Sequence, residues 1–376
     1  MSASGSTTAT RDDHRSQSWV ALLGRRDMPT DGLEDYSTFL GCALAQQGVE
    51  MELARVEWYD RGWIPALWKL WRESAAWRGR WILVQYTGLG WSRRGFPIGI
   101  LAVLAILRRR GCRCAMVFHE FTRQSAGARP IDRIRGDCQQ WVIERLYRGS
   151  LKSVFTVPLE KIDWLPQAAS KAAFIPIGAN LPERLDRRNG PGADGRPRTV
   201  MVFGVTGAPR MAVEVEEISA VIKEASKSLP LLRLIVIGRG STEARKALET
   251  ALAGSGVEIV VRGVLPAEDV ADEFARADAL LFVRGAITLQ RGSAIAGVAC
   301  GLPIVGYRIG GSGDALDEAG IEWSPWRDQK SLVRGLVRIL SDTARWKELH
   351  ERSLRAQRDH FSWTRIAEQF QASLPQ

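Results

Sequence analysis

The residues best placed for chemistry lie in VACGLPIVGYRIGGSGD, from Val298 to Asp314. Small apolar residues from Ala294 to Cys300 suit a helix packed closely on a sheet. Gly301 can close that helix in the left-handed conformation, and Pro303 prevents its continuation. Ile304 and Val305 supply the β-branched core of a strand, which feeds Gly310, Gly311 and Gly313. Glycines leave backbone amides uncovered there. The carboxyl end of a parallel strand is where open α/β sheets bind ligands, phosphates among them. An ordinary glycine-rich connection explains the same residues. Just upstream, TLQRGSAIAG places Gln290 and Arg291 at the end of a loop and Gly292 and Ser293 at the start of a helix. Ser293 is a favourable N-cap, and the amides beyond it can receive a phosphate; helix capping alone is the plainer account. In the first half, the strand CAMVFH closes on His119 and Glu120, again at a carboxyl end.

These residues need a scaffold, and the chain supplies one by alternating β-rich runs with helical patterns, the mark of parallel α/β sheets. Strands are expected near Trp19 to Leu23, Val49 to Val56, Ile82 to Tyr86, Ala115 to His119 and Ser153 to Val157. A second series follows at Thr199 to Phe203, Leu234 to Ile237, Glu258 to Val261, Ala279 to Val283 and Pro303 to Gly306. Between them ERLDRRNGPGADGRPR, rich in Gly, Pro and charge, reads as a linker over 183–198. Two βα domains facing across a cleft is the architecture this pattern predicts. Residues 1–17 are polar without an apolar core, which reads as a disordered leader and not a signal peptide.

Composition agrees. A chain of 376 residues can bury two cores, and 45% hydrophobic with 25% charged residues is ordinary for a globular protein. Five cysteines without repeating spacing point to a reducing, cytoplasmic setting and to small core or surface roles. No G-x-G-x-x-G opens a helix after the first strand, GRGSTE from Gly238 lacks the third glycine, and no Walker A sequence occurs. A nicotinamide enzyme and a P-loop ATPase are disfavoured. Without a D-x-D sequence or a dense His/Cys/Asp cluster, metal independence is the default.

ACGLPIV with its glycine-rich turn also resembles the donor-site region of glycosyltransferase family 4, retaining enzymes of the GT-B fold. PIGAN (Pro176 to Asn180) is similar to the family's passage between domains, and HFSWTRIAEQF (His360 to Phe370) to its terminal helix. DGLEDYSTFLGCALAQQGVEMEL, from Asp31, is similar to its first glycine turn, helix and second strand. The resemblance spans most of the chain past the leader. It implies two Rossmann-like domains, an acceptor-side one over 18–182 and a nucleotide-sugar domain over 199–360. Residues 361–376 would form a helix crossing back to the first domain.

The resemblance also implies roles. A departing nucleoside diphosphate gathers negative charge and needs cations and oriented amides. Arg210, six residues past Gly204, stands where the family usually has a lysine; a solvated loop arginine is the bland reading. The family's preceding arginine is Val205 here, and Arg291 could supply that cation. Gly292, Ser293, Gly310 and Gly311 would offer amides, Gln290 would touch the donor, and Arg262 would lie near the base. His119 would hydrogen-bond the transferred sugar, Glu120 would contact sugar or acceptor, and Gly32 would let backbone approach the donor or acceptor. The family's two glutamates fall on Thr288 and Ala296, which cannot act as carboxylates. Such a departure marks either a subgroup or a chain that has lost turnover.

Charge and tryptophan complete the picture. Net charge is +10, and six of the 14 tryptophans fall between Trp58 and Trp81. Nearby, an apolar run too short to span a bilayer lies between Arg93-Arg94 and Arg108-Arg109-Arg110. A core helix with basic ends competes with peripheral contact at the anionic inner face of a membrane. No recognition motif points to nucleic acid. The family resemblance implies hexosyl transfer, with retention, from a nucleotide sugar to a glycan or lipid-linked acceptor, with no cofactor beyond that co-substrate. A non-catalytic sugar-nucleotide-binding or scaffolding protein and a sugar-nucleotide epimerase are the alternatives.

Overall fold

The computed structural model describes residues 18–123, 129–182, 184, 190–310 and 315–375. The leader expected over 1–17, Gly311 and most of the linker before Gly190 lie outside the described residues. The chain divides into two compact units, the first within Met1–Pro176 and Trp363–Gln376, the second Ile177–Ser362.

The first unit is a six-stranded parallel sheet. Its strands are β1 (Ser18–Leu23), β2 (Glu50–Arg55), β3 (Trp81–Tyr86), β4 (Arg113–Phe118), β5 (Lys152–Phe155) and β6 (Ala172–Phe174), in the order β2-β1-β3-β4-β5-β6. Helices α1 (Gly32–Gln46), α2 (Trp63–Glu73), α3 (Gly99–Arg109) and α4 (Pro130–Gly149) connect them. Every residue of β3 is buried, as a strand covered on both faces requires. Ile100, Val103, Leu104 and Leu107 recur at helical spacing along α3 and are buried. The Asp31 side chain accepts from the amides of Leu33 and Glu34 and so fixes the start of α1.

The second unit is also six-stranded and parallel. Its strands are β7 (Arg198–Phe203), β8 (Leu232–Ile237), β9 (Glu258–Gly263), β10 (Ala279–Ala286), β11 (Ile304–Arg308) and β12 (Ile321–Pro325), ordered β12-β11-β10-β7-β8-β9. Its helices are α5 (Met211–Ser226), α6 (Ser241–Ala251), α7 (Ala267–Arg276), α8 (Gly292–Ala299), α9 (Gln329–Ser341) and α10 (Thr343–Ala356). Gly301 ends the α8 turn at φ +63° and Ile304 begins β11, the stop expected from Gly-Leu-Pro. Arg196, near the end of the expected linker, donates to the fully buried Asp278 at 3.2 Å and ties that segment to the second unit.

Helix α11 (Trp363–Ser373) returns to the first unit and packs on α1. Trp363 stacks on Phe39 at 5.8 Å and meets Tyr36 edge-on at 5.2 Å, while Ile366 and Phe370 are fully buried. All five cysteines are free thiols. Strands β6 and β12 add an edge to each predicted series, because AAF and IEWSP lack the continuous apolar run of the inner strands. No helix among the described residues is long and apolar enough to cross a membrane.

Candidate functional site

In the second unit the chain runs from β7 outward to β8 and β9, then returns to lay β10 on the other side of β7. The carboxyl ends of β7 and β10 therefore flank a topological switch point, where connections leave in opposite directions and a crevice opens. Both ends carry glycine beside arginine. β7 ends at Phe203, and Gly204 follows at φ +80°. β10 carries Arg284 and then Gly285, at φ +90°.

Three guanidinium groups gather here. Arg284 donates from Nη1 to the Phe203 carbonyl at 3.3 Å, while its buried Nε has no hydrogen-bond partner among the described residues. Arg291 precedes α8, and its Nη2 lies 3.4 Å from where a Cβ on Gly285 would sit. Burial, followed by the charges of Arg284 and Arg210, holds Arg291 below the usual arginine range, and the Glu214 carboxylate opposes them. Arg210 is exposed at the start of α5. Glu214 is buried and accepts from the Thr206 amide at 2.7 Å, which fixes the loop after β7. Among the described residues, Arg291 thus meets two further cations and the carboxylate of Glu214. Such a site is electrostatically short of negative charge and suits a multiply charged anion such as a diphosphate.

The N-terminus of α8 adds its dipole. The helix begins at Gly292, with Arg291 in the capping position and no side-chain cap. Ser293 is therefore the second helical residue and not the expected N-cap; the loop reaches helical geometry one residue earlier because Gly292 tolerates the entry. Gln290 immediately precedes Arg291 in the same loop. Val205, where a cation is missing by resemblance, is buried, and its amide donates to Arg239 O at 2.8 Å. Arg284, which sequence reasoning missed, brings a cation to that end of the sheet. Its signal was a charged residue directly after the apolar run ALLFV, with glycine beside it.

Other expected donor residues sit differently. Arg262, in β9, faces the buried Glu273 at 3.3 Å, which Arg276 also approaches at 3.4 Å. That pairing satisfies an otherwise uncompensated buried carboxylate. Gly310 follows β11 at φ +72°, and a Cβ there would meet nothing within 4 Å. Thr288 is exposed and Ala296 is buried in α8.

In the first unit His119 follows β4, its amide bonded to the Tyr86 carbonyl at 3.1 Å. Its Nε2 and Gln85 Oε1 are 2.8 Å apart, and the Tyr36 ring meets it edge-on at 4.9 Å. Burial pushes the imidazole down to about 4, so it is neutral at ordinary pH. As Gln85 Oε1 only accepts, the Nε2 proton is held there. Glu120 accepts from the Gly88 amide at 2.6 Å. Burial raises its carboxyl above the usual range, and the Gly88 bond opposes the rise. Gly32 opens α1, and a Cβ there meets nothing within 4 Å, so the protein's own packing does not demand glycine. Beside it, Glu34 is neutralised by Arg26 and Arg55 at 2.6 and 2.9 Å.

Comparison with known proteins gives a family-model match over part of the chain and a shared fold over most of it. Residues 198–342 match the model of the glycosyl transferases group 1. A comparison with curated proteins finds no significant match. Among solved structures, Anabaena HepE in complex with UDP and glucose is similar at a TM-score of 0.66 and 12% identity, covering 95% of this chain and 99% of that one. The sucrose-phosphate synthase of Thermosynechococcus elongatus is similar at 0.65 and 17% identity, covering 94% and 97%. A glycosyltransferase of Rickettsia africae is similar at 0.65 and 11% identity, covering 94% and 97%. The arginine-lined switch point thus lies inside the stretch that matches the group 1 glycosyl transferase model, in a chain whose two six-stranded parallel sheets share the fold of the solved GT-B structures.

Proposed function

We propose that the chain transfers a hexosyl group, with retention of configuration, from a nucleoside-diphosphate sugar to a glycan or lipid-linked acceptor in the cytoplasm. The observation that supports this reading best is the cluster at the switch point, where Arg291 meets the charges of Arg284 and Arg210 against the carboxylate of Glu214. As the bond from sugar to phosphate breaks, charge accumulates on the leaving diphosphate. Guanidinium groups already fixed around that charge stabilise it without reorganising at the moment of reaction. The first amides of α8 act in the same sense. His119, neutral and held by Gln85, is assigned a hydrogen bond to the transferred sugar, and Glu120 a contact with sugar or acceptor. No nicotinamide, metal or other cofactor takes part in this scheme.

A second reading is favoured by Thr288 and Ala296: a protein that binds the sugar nucleotide without turning it over. Thermal stability measured against UDP, GDP, ADP and dTDP, in wild type and Arg284→Ala, tests the donor site. A ligand at about a hundred times its dissociation constant adds about 2.7 kcal/mol. A stabilisation by one nucleotide that disappears in the variant supports the site, and none from any of the four refutes it. Slow release of nucleoside diphosphate from the matching sugar nucleotide then distinguishes an enzyme from a binder.

A further inference from the structure

Helices α2, α3 and α4 lie over the same face of the first unit's sheet, α3 packed against both neighbours. The inner side of α2 buries Ala66 and Leu70. Its outer side carries Ile64, Trp68 and Trp71 at spacings of four and three, 85%, 62% and 40% exposed. Large apolar side chains at i, i+4 and i+7 form a stripe along one helix face, and here the stripe is turned to solvent. Helix α4 repeats the arrangement, with Ile131, Ile134 and Trp141 exposed on its outer side. The apolar run foreseen in sequence is the buried half of α3, so the core reading of that segment holds, and the outward-facing apolar residues belong to its two neighbours.

Arginine accompanies each exposed tryptophan of these helices. Arg72 lies over Trp68 at 4.7 Å, Arg110 over Trp71 at 4.5 Å and Arg145 over Trp141 at 5.5 Å. Across 63–73, 99–110 and 130–149 the chain has nine Lys and Arg against four Asp and Glu. Two copies of so basic a face repel one another, whereas an anionic surface attracts it. Indole rings favour the headgroup level of a bilayer and guanidinium groups its phosphates. We infer that the outer face of α2 and α4 docks on an anionic phospholipid bilayer, the helices lying in its interface. The surface is separate from the arginine cluster of the second unit, and its assignment does not depend on sugar transfer.

Sedimentation with vesicles tests it, using phosphatidylcholine alone and phosphatidylcholine mixed with phosphatidylglycerol. Wild type should bind the mixed vesicles at least tenfold more tightly and lose affinity as salt is raised. The pair Ile64→Ser/Trp68→Ser should bind about tenfold more weakly, and Arg72→Gln and Arg110→Gln about fivefold each. Ile64, Trp68 and Arg72 are exposed and Arg110 is half-buried against Trp71, so an unchanged thermal midpoint and an unchanged response to nucleotide show that the fold and donor site survive. Equal binding to both vesicle types, or variants that bind like wild type, overturns the inference. So does a solution dimer that the same substitutions dissolve, which assigns the face to a second copy of the chain.

Discussion

Arg284 Nη1 bonds the carbonyl of Phe203 and lies 2.7 Å from where a Cβ on Gly204 would stand. The guanidinium occupies the space that only the absence of a side chain at 204 leaves open. Strand β10 thereby places a cation over the end of β7 through a glycine, and the register of two strands becomes a feature of the anion site.

Gly204→Ala is accordingly expected to do two things. At φ +80° the alanine backbone is strained, which costs about 1–2 kcal/mol. Its methyl group also displaces the Arg284 tip. The thermal midpoint should fall by a few degrees, and affinity for a nucleoside diphosphate should fall about tenfold in calorimetric titration. A variant that loses stability and keeps its affinity would remove Arg284 from the site.

Removing single cations should separate the cluster from the bystander. Arg284→Ala and Arg291→Ala are each expected to weaken diphosphate binding by about ten- to a hundredfold, the scale of a charge-assisted hydrogen bond at ~1.5–3 kcal/mol. Arg262→Ala should leave affinity nearly unchanged and instead lower stability, because it strips a partner from the buried Glu273.

Glu214→Gln keeps the acceptor for the Thr206 amide and deletes the negative charge that opposes the cations around Arg291. Diphosphate affinity should rise about fivefold, equivalent to ~1 kcal/mol, with the gain shrinking as salt is added.

The imidazole of His119 sets a pH dependence whose sign can be worked out. Its folded value, about 4, lies below the unfolded value of 6.5, so the unfolded chain binds the proton first. Stability from the buried neutral ring is complete above about pH 6.5 and drains away as pH falls toward 4, by about 3 kcal/mol in all. Glu120, raised by burial, works the other way and gains as pH falls. The His119→Gln difference isolates the histidine: denaturant midpoints of the two proteins should diverge below pH 6.5 and run parallel above it. Sugar-transfer rate should show no inflection from His119 between pH 6 and 8.

Much of the scaffold was legible because parallel strands buried on both faces read as apolar runs, as WILVQY and LRLIVI do. The Gly301 stop was legible because only a few residue types end a helix that way. Ser293 misled because hydroxyl residues favour caps in general, while backbone geometry chose Arg291 for that position. Arg284 was missed because a periodicity reading ends a strand at the first charge, and nothing local says that β7 will be its neighbour. Proximity to Arg210 and Arg291 is a property of strand order, which the sequence carries only indirectly. Nothing local in the sequence separates Glu214 from the other acids of α5; the Thr206 amide that it accepts from marks it out.

Phe370 is fully buried in α11, where that helix packs on α1. Phe370→Ala is expected to cost about 3–5 kcal/mol and to raise hydrogen exchange first in α1 and α11, the pair whose shared face it opens. Protection spread evenly over the chain would argue against a local effect.

The return of α11 also fixes a timetable. The first unit is built from two stretches of the chain, one up to Pro176 and one from Trp363, with the whole second unit between them, so its last helix is synthesised only after the second unit has been made. Until α11 emerges, the surface around Tyr36 and Phe39 lacks the cover of Trp363, and the nascent chain carries an open apolar flank through the whole synthesis of the second unit. A chain interrupted just before Trp363 would therefore carry its arginine cluster in full and a defect in the unit whose strands were made earlier.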